Sequence, residues 1–135
     1  MKEWKLAAKL DNLDAVLAFV DGALEEADCS VRARMQIAVA VEEVFVNIAR
    51  YAYAPGEGAA TIRLEVSEEP AEATLTFVDS GVPFDPLAKE DPDLTLDADQ
   101  RPIGGLGIFM TKKLMDGLDY AYRDGQNVLT IRKRI

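Results

Sequence analysis

The chain predicts an α+β fold: a two-layer α/β sandwich whose mixed, mostly antiparallel sheet is covered by helices on one face. Three observations carry this. Segments of period-two and period-3.6 hydrophobicity follow one another in the order β-α-α-β-β-loop-α-β-β. Four of the five strand segments form two adjacent pairs with short turn-forming connections, which predicts antiparallel hairpins. The strict strand–helix alternation of a parallel doubly wound sheet is missing. With 135 residues and 49% apolar content, the sequence suffices for one domain over 1–135 and for a core without disulfides or a structural metal.

Trp4, Leu6, Ala8 and Leu10 alternate with Glu3, Lys5, Ala7 and Lys9, as in a half-buried strand. Asp11 or Asn12 can then cap a helix to about Ala27, with Leu13, Val16, Leu17, Val20 and Leu24 on one stripe. Ser30 is an N-cap for a long helix from Val31 to about Ala52, with Ile37, Val41, Val44, Ile48 and Tyr51 or Ala52 facing the core. Pro55-Gly56-Glu57-Gly58 breaks that pattern. Strands are expected over Thr61–Ser67 and Ala73–Asp79, joined through Glu68-Glu69-Pro70-Ala71. From Ser80 to Pro102 there is no sustained periodicity, and the acids outnumber the bases. Loops this long inside a compact domain are usually functional or mobile, a solvated insertion being the plainer reading. Gly104-Gly105-Leu106-Gly107 opens a helix to about Asp116, and Leu118–Arg123 and Asn127–Arg132 close a hairpin at Asp124-Gly125.

Composition removes several function classes. Twenty-four acids against fifteen bases give a formal charge of −9, the opposite of the basic footprint that nucleic acid or an anionic membrane requires. The chain has no histidine, which excludes Ser-His-Asp and Cys-His catalysis and histidine-ligated zinc. Acid–base chemistry is left to carboxylates, lysines and tyrosines. Cys29 is the single cysteine and has no intramolecular disulfide partner, as suits a reducing compartment. The N-terminus has no apolar signal-type region, and no apolar run approaches the ~20 residues of a membrane span. A cytoplasmic location is expected.

Three features are candidates for chemistry. Glu43 and Asn47 lie four apart on the long helix and so share one face. At about 100° per residue, that face borders the core stripe instead of opposing it. A carboxylate and a carboxamide stacked there can hold a metal or orient a hydroxyl, or simply be solvated. Asp79 continues the inward series of Leu75 and Phe77. Because a buried carboxylate needs a donor, a ligand amine, a core hydroxyl or a backbone amide must meet it. The glycines at the start of the last helix suit either phosphate binding at a helix N-terminus or a plain helix start.

In order along the chain, Glu43-x-x-x-Asn47, Asp79-Ser80-Gly81 and Gly105-Leu106-Gly107 resemble the N, G1 and G2 boxes of the gyrase, chaperone, histidine-kinase and mismatch-repair (GHKL) ATPases, which share the Bergerat fold. The stretches Asp79-Ser80-Gly81-Val82-Pro83-Phe84-Asp85-Pro86 and Ile103-Gly104-Gly105-Leu106-Gly107-Ile108 are most similar to bacterial anti-sigma-factor serine/threonine kinases. That resemblance implies ATP and Mg²⁺ as cofactors, with Glu43 as general base and Asn47 holding the metal. It implies that Asp79 accepts from the adenine amino group, that Gly81 lets the chain pass close to the base, and that Gly104, Gly105, Leu106 and Gly107 face the phosphates. The loop over about 80–102 becomes a lid, and Arg101 either reaches the γ-phosphate or offsets the lid's acids. The implied partners are an anti-anti-sigma (STAS-type) protein carrying the acceptor Ser or Thr, a sigma factor, and a second copy in a homodimer. The sequence departs from the wider pattern at Pro83, in place of a glycine; at Gln126-Asn127, where related domains often have threonine after the glycine; and at Tyr51, in place of histidine. Asn127 is the substitute for that polar contact. A nucleotide-binding switch that sequesters its partner without phosphoryl transfer is the alternative function. A histidine-kinase-like core is disfavoured by the absence of a phosphoacceptor histidine.

Overall fold

The computed structural model describes residues 1–88 and 106–135. Its main elements are β1 (Lys2–Ala7), α1 (Leu13–Glu26), α2 (Val31–Asn47), β2 (Ala59–Glu68), β3 (Ala71–Asp79), α3 (Leu106–Leu114), β4 (Gly117–Arg123) and β5 (Gln126–Arg134). The strands form one sheet in the order β1-β2-β3-β5-β4. A mixed, mostly antiparallel sheet was expected; the four pairings among the described residues are all antiparallel.

Register follows from the period-two pattern. Pairing Ile62 with Phe77 and Leu64 with Leu75 puts both strands' apolar residues on one face. Leu129 and Ile131 of β5 join them opposite Phe77 and Leu75, and all six are buried. α2 packs against both α1 and α3 over this face. Trp4 of β1 meets Phe19 of α1 with ring centroids 5.4 Å apart, which ties the edge strand to the helical layer. The register also puts Asp79 between Ala60 and Asn127. The apolar inner face therefore ends in two adjacent polar side chains.

Local chemistry sets the ends of the elements. Ser30 caps α2 as predicted, its Oγ accepting from the Ala33 N–H at 3.1 Å. Asn12 holds the cap position of α1, but its side chain donates instead to the Ala7 carbonyl at 2.8 Å. That bond secures the end of β1, and a short 3₁₀ turn at Leu10–Asn12 leads into α1. Leu10 therefore leaves the strand pattern and is exposed. Asp124 (φ 54°) and Gly125 (φ 77°) both take left-handed conformations, as a two-residue hairpin turn requires.

The α-helical ladder of α2 ends at Asn47, and a wider π-type turn carries the chain from Ile48 to Ala52. Ala52 is buried and Tyr51 exposed, which decides between the two positions the sequence left open. Phe45, off the predicted stripe, is completely buried. A helix covered by the sheet and by two other helices buries more than one stripe. Replacing Phe45 by alanine is expected to lower unfolding free energy by about 3–5 kcal/mol, which urea denaturation followed by circular dichroism would measure.

Candidate functional site

At the end of β3, a pocket opens between α2 and the sheet. Val44, Ile48, Phe77, Ile108 and Leu129 give it apolar walls, and Asn47, Asp79, Tyr120 and Asn127 supply its polar groups. A few placed polar groups in an apolar cleft are the usual composition of a small-molecule site.

Asp79 is buried, at 6% exposure, because it continues the inward series of β3. Its Oδ1 accepts from the Gly81 N–H at 2.9 Å and from Asn127 Nδ2 at 2.9 Å. A backbone amide, one of the donors the sequence allowed, thus meets it alongside an unforeseen carboxamide. Both bonds fall on one oxygen, so among the described residues Oδ2 has no partner.

The segment after Asp79 is held against the end of α2. The Val82 N–H donates to the Ala52 carbonyl at 2.9 Å. Tyr53 bridges from its hydroxyl, donating to the Ala59 carbonyl at 2.6 Å and accepting from the Ser80 N–H at 2.7 Å. A Cβ on Gly81 would lie 2.2 Å from the Ala52 carbonyl oxygen. Glycine is needed there because the two backbones touch.

On the other side of the pocket, half-buried Asn47 donates through Nδ2 to Glu43 Oε1 at 3.1 Å. The helical spacing thus pairs the two directly. The first turn of α3 rests on the same carboxylate, since a Cβ on Gly107 would lie 2.1 Å from Glu43 Oε2. A side chain at 107 would therefore displace the Glu43 carboxylate from this seat, a role the motif alone did not disclose. Thr111 is buried and donates to the Gly107 carbonyl at 2.9 Å, reinforcing that turn. Leu106 is the first residue of α3, whereas Arg101, Gly104 and Gly105 lie outside the described residues.

Sequence reasoning missed Tyr53 and Tyr120. Tyr120 lies opposite Leu129 in the β4–β5 register, so its inward position follows only once the pairing is known. Its hydroxyl donates to Asn127 Oδ1. Burial holds that phenol above its ordinary pKa, with Asp85 and Asp79 pushing the same way against a hydrogen bond to the Phe84 backbone. It therefore remains a protonated donor at neutral pH.

Residues 6–133 match the family model of the histidine kinase-like ATPase domain. The chain belongs to this family. Among its relatives, the serine/threonine-protein kinase BtrW of Bordetella bronchiseptica is 33% identical over 76% of this chain and 71% of its own. The serine-protein kinase RsbW of Listeria monocytogenes is 28% identical over 93% of this chain and 82% of its own. A crystal structure of the RsbU and RsbW domains of Rv1364c from Mycobacterium tuberculosis superimposes with a TM-score of 0.68 at 14% identity. That match covers 99% of this chain and 32% of the other, and at such identity it speaks for the fold alone. The α+β architecture and the family expected from the three boxes are thus both borne out. With this family and these relatives, the chain is an ATP-binding domain of the serine/threonine-protein kinase class.

Two glycines separate packing from conformational freedom. Gly81→Ala should lower stability by about 1–3 kcal/mol, as expected when extra volume is forced against backbone. Gly22, exposed on α1 with nothing within 4 Å of an added Cβ, should gain about 0.5–1 kcal/mol on the same change. Thermal melts of both variants beside the parent protein would test the pair.

Proposed function

We propose that this domain transfers the γ-phosphoryl group of Mg-ATP to a serine or threonine hydroxyl of a partner protein, with Glu43 as general base. One observation carries the reading: Glu43 is bonded to Asn47, which lines the pocket, while its carboxylate rests against the first turn of α3. A base for the acceptor hydroxyl, an oxygen ligand for a cation and a helix N-terminus suited to phosphate thereby converge on one edge of the pocket.

Phosphoryl transfer asks the protein mainly for alignment and charge stabilisation. The acceptor oxygen bonds to the γ-phosphorus as the bond to the β–γ bridging oxygen breaks, leaving ADP, and the hydroxyl proton passes to Glu43. Asn47 has its Nδ2 engaged by Glu43, which turns Oδ1 to the task of cation binding. A hard oxygen donor there suits Mg²⁺, which takes few protein ligands and keeps substrate phosphates and water as the rest. When bound, the ion neutralises charge on the triphosphate. Asp79 Oδ2 accepts from the 6-amino group of adenine, and Gly81 keeps the chain close enough to the base for that bond. Leu106 and Gly107 offer the phosphates backbone N–H groups at the start of α3. The assignment of Arg101, Gly104 and Gly105 to the phosphates rests on the sequence motif.

On the motif resemblance to anti-sigma-factor kinases, the proposed phosphoacceptor is an anti-anti-sigma protein of the STAS type. A sigma factor and a second copy of the chain complete the proposed assembly. The charge of −9 favours a neutral or basic protein surface over nucleic acid. Among the described residues no helix is long and apolar enough to cross a membrane; the proposed site of action, the cytoplasm, rests on the family resemblance.

Glu43→Gln is expected to slow phosphoryl transfer by ~10²–10⁴-fold while calorimetry shows ATP affinity unchanged. Equal loss of both would remove Glu43 from the role of base. ATP binding by the parent protein without transfer to any STAS partner would favour the sequestering switch. Asp79→Asn tests the other end of the pocket. The Gly81 and Asn127 donors hold the new carbonyl oxygen at the Oδ1 position and turn its NH₂ toward the adenine amine. ATP affinity should fall ~10–100-fold, and the preference over GTP should shrink with it.

A further inference from the structure

Asn127 lies opposite Asp79 in the β3–β5 register and is 6% exposed. Its carboxamide makes four hydrogen bonds, its full capacity of two accepted and two donated. Oδ1 accepts from the Phe84 N–H at 3.1 Å and from the Tyr120 hydroxyl. Nδ2 donates to Asp79 Oδ1 at 2.9 Å and to the Val82 carbonyl at 2.9 Å. The partners dictate the orientation of the amide: an N–H only donates and a carbonyl only accepts, so the flipped form would face donor to donor and acceptor to acceptor. Nothing on this side chain is left for a ligand. The polar contact that the sequence assigned to Asn127 is therefore already spent inside the protein.

We propose that Asn127 is a positioning residue for purine recognition, holding Asp79 and the 82–84 segment so that one carboxylate oxygen alone faces the base. The inference rests on the reading of Asp79 as acceptor for the 6-amino group. A carboxylate rotates about its terminal torsion and presents either oxygen. Two donors on Oδ1 stop that rotation, and Gly81 supplies only one of them. The same amide grips Val82 and Phe84, which both line the pocket. The polar end of the pocket and the segment beside it are thus registered by one side chain.

Asn127→Leu keeps a similar shape and removes all four bonds, and Asn127→Ser keeps one donor and one acceptor if the leucine variant fails to fold. The probes are ATP and purine riboside triphosphate, which lacks the 6-amino group, titrated by calorimetry. The parent's preference for ATP should fall by ~10-fold or more in either variant. In the Asp79→Asn background, the same substitution should produce no further loss of preference, as expected of residues acting through one contact. Uniformly weaker binding of both nucleotides with the preference intact would overturn the proposal, leaving Asn127 a merely structural residue. A parent protein without preference would instead refute the reading of Asp79, and amide hydrogen exchange then decides the role of Asn127. Faster exchange at Gly81 and Phe84, with Phe77 in the neighbouring ladder unchanged, supports positioning; unchanged exchange at Gly81 and Phe84 overturns it.

Discussion

A carboxylate at the end of an apolar strand face is the constraint around which the pocket is built. Burial of Asp79 without donors would cost several kcal/mol, so its surroundings must supply N–H groups. The Gly81 amide and the Asn127 carboxamide do so on a single oxygen. That arrangement satisfies the fold and still leaves an acceptor for a ligand. It also explains why the chain turns sharply after β3: the amide two residues on must come back to its own aspartate.

Helix α2 is the second organising element, because it serves the core and the site together. Ile37, Val41 and Phe45 are buried beneath it, while Asn47 lines the pocket and Glu43 stands one turn earlier. Packing close to this helix leaves no room for a Cβ at two points. Gly81 passes the Ala52 carbonyl, and Gly107 passes the Glu43 carboxylate. In both places the glycine answers to space, since neither takes a left-handed conformation. A change that thickens either contact would act on the site through α2 and not by removing a ligand contact directly.

Much of this was legible in one dimension. The strand and helix order, the Ser30 cap and the Asp124-Gly125 turn follow from local rules, because hydrophobic period, capping and left-handed turn residues act within a few positions. Glu43 with Asn47, and the inward aim of Asp79, were legible for the same reason: each follows from the period of one element. The three-box resemblance added the chemistry that local rules cannot reach. What failed were inferences that needed neighbours. Asn12 satisfied a strand carbonyl instead of its own helix, Phe45 was buried by three surroundings instead of one, and Tyr120 was not recognised as part of the pocket.

The sequence by itself determined the α+β class, the elements and the residue types available for chemistry, since these depend on periodicity, propensity and composition along the chain. Only the tertiary structure decided which partners those residues meet. The β3–β5 pairing sets Asn127 beside Asp79 and commits all four of its hydrogen bonds. The approach of α3 to α2 turns Gly107 into the seat of Glu43. Both are contacts between segments far apart in the chain, and their geometry is set by packing, which no local pattern encodes.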